Sequence, residues 1–164
     1  EGLLGAEGSS TVADLQAPGE GEESSGGGET LRGMDHTLTR IGYLLEPYFN
    51  QLELDLTHRS AAVVHQAGDA EDASPPLNER EVSKWQSQFI RGRLLAIIFL
   101  GPSGGTLEMR PYDTEFVEPH TVKVQSGTTV ILRADTMSHS FAREGQGFAI
   151  STFFMTDVMK KRVP

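Results

Sequence analysis

The sequence contains no cysteine, and this absence excludes two kinds of chemistry. Without thiols the chain forms neither disulfide bonds nor thiolate metal sites. The absence of cysteine does not indicate whether the protein works in an oxidising or a reducing compartment. The sequence also lacks any run of about 18 apolar residues, the length that a membrane-spanning helix requires. Its longest apolar stretch, Leu94 to Leu100, has the length of a buried strand. We therefore expect no membrane span.

Positive charge is scarce and negative charge is unevenly placed. Lysine and arginine number 14 against 23 acidic residues, so the formal net charge is −9 and a nucleic-acid partner is not expected. Residues 1–30 contain seven acids and no lysine or arginine, and half of the 18 glycines fall in residues 1–33. Such a segment cannot offset a backbone ordering cost of about 1–2 kcal/mol per residue. We predict an acidic Gly/Ser-rich tail at residues 1–33 and a folded domain at residues 34–164.

The tail is a candidate contact for a protein partner. Its scattered apolar residues, among them Leu3 and Leu15, are possible anchors, and an unstructured linker is the alternative. The sequence begins without an initiator methionine and shows no leader pattern, which we interpret as a processed chain. An organellar assembly, such as a photosynthetic or respiratory complex, is one context for a processed subunit of this kind.

Two segments predict helices. In the first, Pro47 interrupts the pattern, so that two short helical pieces or a helix followed by an extended segment are both open. Its apolar residues at helical spacing are Leu38, Ile41, Leu44, Leu45 and Phe49. In the second, residues 78–93, one short helix would bury Val82, Trp85 and Phe89.

The rest of the chain predicts strands. Residues 52–68 favour one or two strands, and residues 93–155 favour five or six that are separated by Gly, Pro and Asp turns. The connections are short, whereas a parallel crossover needs a dozen or more residues, so we expect antiparallel pairing. A mainly β (α+β) sandwich or jelly roll with helices packed outside is the economical architecture.

Four segments in this order resemble a known family: "FIRGRLLAIIFL", "GGTLEMR", "VKVQSGTTVILRADTMSHSF" and "GQGFAISTFFM". Together, over roughly residues 85–155, they are similar to the second half of the double-stranded β-helix in 2-oxoglutarate and Fe(II)-dependent oxygenases, particularly the prolyl 4-hydroxylase-like branch. Cupins share this architecture. The resemblance implies a double-stranded β-helix and a metal site with two histidines and one carboxylate.

The resemblance places the distal histidine of that site at His139. The other two ligands should come from an upstream His-x-Asp or His-x-Glu, which the sequence lacks. His65 lies nearest the expected place and has Ala67 at the carboxylate position, as in the halogenating members of the family. Asp69 or Asp72 could supply a carboxylate from the following loop, and Asp135 is a further candidate or a turn-capping residue.

The family also holds the distal carboxylate of 2-oxoglutarate with a basic residue, about ten residues after the distal histidine. Here that region reads "GQGFAIS", with Phe148 at or beside the position. An apolar ring cannot replace the ion pair that a guanidinium makes with a carboxylate. Arg143, in a predicted turn, and Arg133, before the histidine, are the nearest bases.

Two functions remain open. The first is a degenerate, non-catalytic oxygenase-like barrel without a cofactor, which acts as an interaction module or accessory subunit of a larger assembly. The second is an active oxygenase or halogenase that binds Fe(II) through His65 and His139 and 2-oxoglutarate through Arg143. The missing carboxylate and the missing base favour the first.

Overall fold

A computed structural model describes residues 10–15, 26–67, 79–113 and 118–157. These residues form two α-helices, α1 (Gly26–Leu45) and α2 (Glu79–Arg91), and one 3₁₀ turn at Glu46–Tyr48. None of the described helices is long and apolar enough to cross a membrane. The strands are β1 (Ser10–Asp14), β2 (His58–Arg59), β3 (Val63–Ala67), β4 (Gly92–Pro102), β5 (Gly105–Pro111), β6 (His120–Val124), β7 (Thr129–Arg133), β8 (Met137–Arg143) and β9 (Gly147–Met155).

The strands form two antiparallel sheets. The larger sheet has the order β1-β3-β9-β4-β7, with β2 also paired to β9, and the smaller sheet has the order β6-β5-β8. Every strand pair is antiparallel. The chain thus adopts the predicted mainly β fold, a double-stranded β-helix with a few flanking helices.

Tight turns stack the smaller sheet on the larger one. The connections β4–β5, β6–β7 and β8–β9 each cross between the sheets within two to four residues. These three connections lie at one end of the sheets and place β5 over β4, β6 over β7 and β8 over β9, whereas the three-residue β7–β8 connection (residues 134–136) crosses between the sheets at the other end. Gly101 and Gly127 have φ of 84° and 85° in this region, and the Gly127 N–H donates to the Phe99 carbonyl at 2.7 Å. The stacking leaves β3 and β1, beyond β9, without a counterpart among the described strands of the smaller sheet.

Strand alternation divides the apolar residues between two cores. On β4, Leu95, Ile97 and Phe99 point into the space between the sheets, whereas Leu94 and Ala96 point outward. The inner core contains Leu95, Ile97, Phe99, Leu107, Met109, Val124 and Leu132. The outer core packs against α1 and contains Leu38, Leu54, Ala62, Leu94, Ala96, Ile98, Ile150 and Phe154.

The helix predictions are confirmed in position but not in every buried residue. α1 ends at Leu45 and the 3₁₀ turn contains Pro47, which fits the predicted interruption. Leu44 is 72% exposed, because it lies about 100° around the helix from Leu45, which packs on the outer core. In α2 Trp85 is buried as predicted, but Phe89 is 57% exposed.

The segment predicted as a tail contributes to the described fold. β1 pairs with β3 over Ser10–Asp14, and α1 begins at Gly26, inside residues 1–33. β1 is an edge strand that is held by main-chain hydrogen bonds to β3. Because such bonds need few apolar side chains, the composition of the segment does not indicate a strand. The division into tail and domain stays a prediction, and the contacts proposed for Leu3 lie outside the described residues.

Two glycines in α1 give a matched test of the packing of this helix. A Cβ at Gly42 would lie 2.7 Å from Cε1 of the buried Phe154 ring, whereas a Cβ at Gly33 would meet nothing within 4 Å. We predict that Gly33→Ala raises the free energy of unfolding by up to about 1 kcal/mol through helix propensity. Gly42→Ala should lower it by about 1–3 kcal/mol because the ring is overpacked. Urea denaturation of both variants measures the two signs, and equal effects would contradict the packing of α1 on β9.

Candidate functional site

His139 lies within a strand, where the sequence predicted a turn. The turn is at residues 134–136, and the Thr136 N–H donates to the Arg133 carbonyl at 3.1 Å. His139 shares one face of β8 with Met137 and Phe141, which both pack on the inner core. The Phe141 ring lies 5.1 Å from the Phe99 ring, between their centroids. The imidazole therefore faces the space between the two sheets.

The surroundings of His139 keep its imidazole neutral. Burial lowers the pKa of His139 from its ordinary value of 6.5 to about 4. Its Nε2 atom is buried and has no hydrogen-bond partner in the described part of the chain. At neutral pH the ring is thus uncharged, with one nitrogen available inside the protein.

His65 faces the same space from the larger sheet. It lies on β3 directly opposite Ala149 of β9, and Ala149 packs against the inner core. His65 is 9% exposed, and its Nε2 lies 2.7 Å from the hydroxyl oxygen of Ser151, which is 1% exposed. This hydrogen bond commits one nitrogen of His65 to a neighbouring strand. Ser151 was missed as a site residue, although its alternation with Ala149 and Phe153 indicates an interior position.

The two histidines do not complete the predicted metal site. Ala67 ends β3 and offers no ligand atom, and Asp69 and Asp72 lie outside the described residues. Over residues 10–15, 26–67, 79–113 and 118–157, no group of three or more His, Asp or Glu side chains could hold a metal ion. The described residues join the two imidazoles to no carboxylate, so this part of the chain alone does not fit the iron site that the resemblance implies.

The interior face of β9 carries no base. Its inward residues are Ala149, Ser151 and Phe153, while Phe148 has the opposite orientation and is 36% exposed. The residue at the expected position of the carboxylate-binding base is therefore Ala149, one residue after the Phe148 named from the sequence. Arg143 ends β8 opposite Gly105, in a strand where a turn was predicted. A role for Arg143 in binding 2-oxoglutarate stays a prediction.

Arg133 and Asp135 bind each other. The guanidinium donates from Nε and Nη2 to the two carboxylate oxygens of Asp135 at 2.8 and 2.9 Å. This hydrogen bonding raises the pKa of Arg133. A further donation from Arg133 Nη1 to the Leu52 carbonyl, at 3.1 Å, connects β7 to the turn after α1. The pair stabilises the turn between β7 and β8, and a ligand role for Asp135 stays a prediction.

Two shallow pockets open on the surface, and His139 lines the first of them together with Ser138 and Ser140. The first has a volume of about 290 Å³ and lies beside β5 and β8, where Glu108 and Arg110 form an ion pair at 2.8 Å. The second, of about 340 Å³, lies between α1 and Phe154 and includes the exposed Tyr43. Arg59 at its rim pairs with Asp35 at 2.7 Å. Both pockets are open surface features.

Comparison with known proteins supports the fold alone. No family model and no curated protein sequence matches the chain. A crystal structure of a Pseudomonas putida prolyl-4-hydroxylase is similar to it, with a TM-score of 0.51 and 16% sequence identity. The similarity covers 92% of this chain and 73% of the hydroxylase chain. At this identity the likeness shows a shared oxygenase-type β fold and does not extend to activity.

The low pKa of His139 predicts a pH-dependent stability. The unfolded chain binds a proton with a pKa near 6.5 and the folded chain only near 4, so acid favours unfolding between these values. From about pH 7.5 to about pH 5, His139 should lower the free energy of unfolding by about 2 kcal/mol. Urea denaturation at both pH values should show that His139→Leu removes this part of the loss. His120→Leu, at an exposed position on β6, is the control and should retain it. An unchanged pH dependence in His139→Leu would contradict the burial of the imidazole.

Proposed function

We propose that this chain is a non-catalytic, oxygenase-like β-barrel that acts as a protein-interaction module or accessory subunit of a larger assembly. The single observation that carries the proposal is the interior face of β9. In place of a base for the co-substrate, this face presents Ala149 and Ser151, and the Ser151 hydroxyl binds His65. This one strand therefore gives two arguments against catalysis. It offers no base that could pair with the carboxylate of 2-oxoglutarate, and its Ser151 already binds one nitrogen of His65.

The filling of the interior supports the same proposal. The region between the sheets contains buried Leu, Ile, Val, Phe and Met side chains from four strands, with Phe141 and Phe153 packed against them. An enzyme of this family needs polar groups that hold iron and a dicarboxylate, and burying charged ligands in an apolar core without such groups is costly. The packing instead favours a barrel whose interior stabilises the fold.

Exposed apolar side chains are consistent with a role in an assembly. Tyr43 and Leu44 near the end of α1 are 71% and 72% exposed, and Tyr48 of the following 3₁₀ turn is 53% exposed. Clustered exposed aromatic and aliphatic side chains commonly mark protein–protein interfaces. Membership of an organellar photosynthetic or respiratory complex remains a proposal about context.

An active iron enzyme is the second candidate, and one observation favours it. His139 is neutral, faces the interior and has an Nε2 atom without a partner in the described residues, which are properties of a metal ligand. The chain still needs two more ligands and a carboxylate-binding group, and only one of these, His65, is identified in the described structure.

Binding of Fe(II) and 2-oxoglutarate distinguishes the two candidates. Anaerobic isothermal titration calorimetry should show micromolar binding of neither by the purified chain, because the interior offers two imidazoles and no paired base. His139→Ala and His120→Ala form a matched pair of variants, one interior and one exposed. Micromolar binding of both compounds that His139→Ala abolishes and His120→Ala retains would overturn the proposal.

A further inference from the structure

Within the described residues, the smaller sheet ends at β8, and one edge of this strand has main-chain groups without a partner there. Hydrogen bonds from the Tyr112 N–H to the Thr136 carbonyl and from the Glu144 N–H to the Gly104 carbonyl flank the β5–β8 ladder. In an antiparallel ladder these bonds alternate, so the even-numbered residues of β8 bind β5. The N–H and carbonyl groups of Met137, His139 and Phe141 therefore point away from β5. No hydrogen bond joins these groups to another described residue.

The space beside β8 lies beneath a strand of the larger sheet. β8 is stacked on β9, and β3 continues the larger sheet on the side of β9 away from β4. A jelly roll has eight strands in two sheets. Here β3, β9, β4 and β7 face only β8, β5 and β6 in the described residues. One more strand beside β8 would lie beneath β3, so that each of β3, β9, β4 and β7 would face a strand of the smaller sheet.

β8 contains neither lysine nor proline, and its one charged residue, Arg143, stands at its end, so this edge has few of the features that keep edge strands apart from other chains. Natural edges often carry lysine or proline. At the opposite edge of the smaller sheet, β6 contains Lys123 and directly follows Pro119. The segment from Met137 to Phe141 contains neither residue and no carboxylate. The two edges of one sheet thus differ in the way expected if β8 accepts a strand and β6 does not.

The sequence between β3 and α2 does not favour a strand. Residues 68–78 lie outside the described structure, and their sequence contains Pro75, Pro76 and three acidic residues. Proline cannot donate to a ladder and is confined to strand edges and bulges. A strand from another protein satisfies the β8 edge without this conflict.

We infer that the β8 edge binds an extended segment of a partner protein by strand addition. This inference rests on the proposed interaction function and specifies its surface. The partner strand has apolar side chains opposite Met137 and Phe141 and a hydroxyl or amide side chain opposite His139. The buried Nε2 atom of His139 then gains a hydrogen-bond partner. Main-chain hydrogen bonds give the affinity. The hydrogen bond to His139 gives a preference for a hydroxyl or amide side chain at the central position of the partner strand.

Two synthetic peptides with the same side chains test whether main-chain hydrogen bonds to the β8 edge cause binding. The probe is acetyl-Thr-Val-Thr-Thr-Thr-Val-Thr-amide, in which the second, fourth and sixth residues face β8. The control is the same peptide with N-methyl groups on those three residues, which removes the donors to β8. In ¹⁵N NMR titrations the probe should shift the β8 amides and slow hydrogen exchange at Met137, His139 and Phe141. The N-methylated control should leave these amides unchanged.

Two proline variants test the position of binding. His139→Pro removes an N–H that points away from β5, and Thr121→Pro removes the equivalent outward N–H at the β6 edge. We expect His139→Pro to weaken probe binding by about tenfold or more and Thr121→Pro to leave it unchanged. Replacing the central threonine of the probe by valine should weaken binding to the wild-type chain but not to His139→Leu.

Several results would overturn the inference. Slow exchange of the Met137, His139 and Phe141 amides before peptide is added would mean that the chain already pairs this edge. Equal shifts with the N-methylated control, or shifts outside β8, would exclude strand addition there. Concentration-dependent dimerisation through β8 in analytical ultracentrifugation would make a second copy the occupant. Binding of Fe(II) and 2-oxoglutarate with unchanged probe binding would refute the proposed function alone.

Discussion

The pairing of β9 is the constraint on which the rest of the structure depends. It lies between β3 and β4, and β2 pairs with its end. Because side chains alternate along a strand, Ile150 and Phe154 enter the outer core beneath α1 while Ala149 and Phe153 contact the inner core. A single strand therefore joins the helical layer to the interior of the barrel. The same alternation places Ser151 where it binds His65.

The short connections between the two sheets bring residues of both sheets to the same interior space. Stacking of β8 on β9 brings His139 to the interior from one sheet, and the β3–β9 ladder brings His65 there from the other. The interior could thus hold a shared site, but its remaining lining is mostly apolar. The fold thus turns two imidazoles toward the interior, and the described residues add no carboxylate that would join them in a metal site. What remains distinctive is the unpaired edge of β8, beside one of these histidines.

The fold was predictable to the extent that it depends on local pattern. Alternating β-branched and aliphatic residues identified β4 to β7 and β9, and Pro47 marked the end of α1. The placement of His139 was wrong because Ser138 and Ser140 are compatible with a turn, while pairing with β5 makes the segment a strand. β1 was missed because its order comes from main-chain bonds to β3, between residues that are 49 to 57 positions apart in the chain.

The candidate site was predictable in residue type and less so in orientation. The absence of a base near the last strand was evident, but the named residue, Phe148, points away from the interior and Ala149 takes its place. A shift of one residue reverses the face of a strand, and the sequence does not fix that register. The contact between His65 and Ser151 joins residues 86 positions apart, so no local pattern indicates it.

The nitrogen signals of the two interior histidines test the absence of a metal site most directly. In a ¹⁵N-labelled chain, anaerobic titration with Zn(II), a diamagnetic ion that imidazole binds well, would shift both imidazoles if they formed one site. The account predicts that His65 and His139 keep their metal-free shifts while any binding occurs at exposed histidines such as His120. Coordinated shifts of His65 and His139 at one Zn(II) per chain would contradict it.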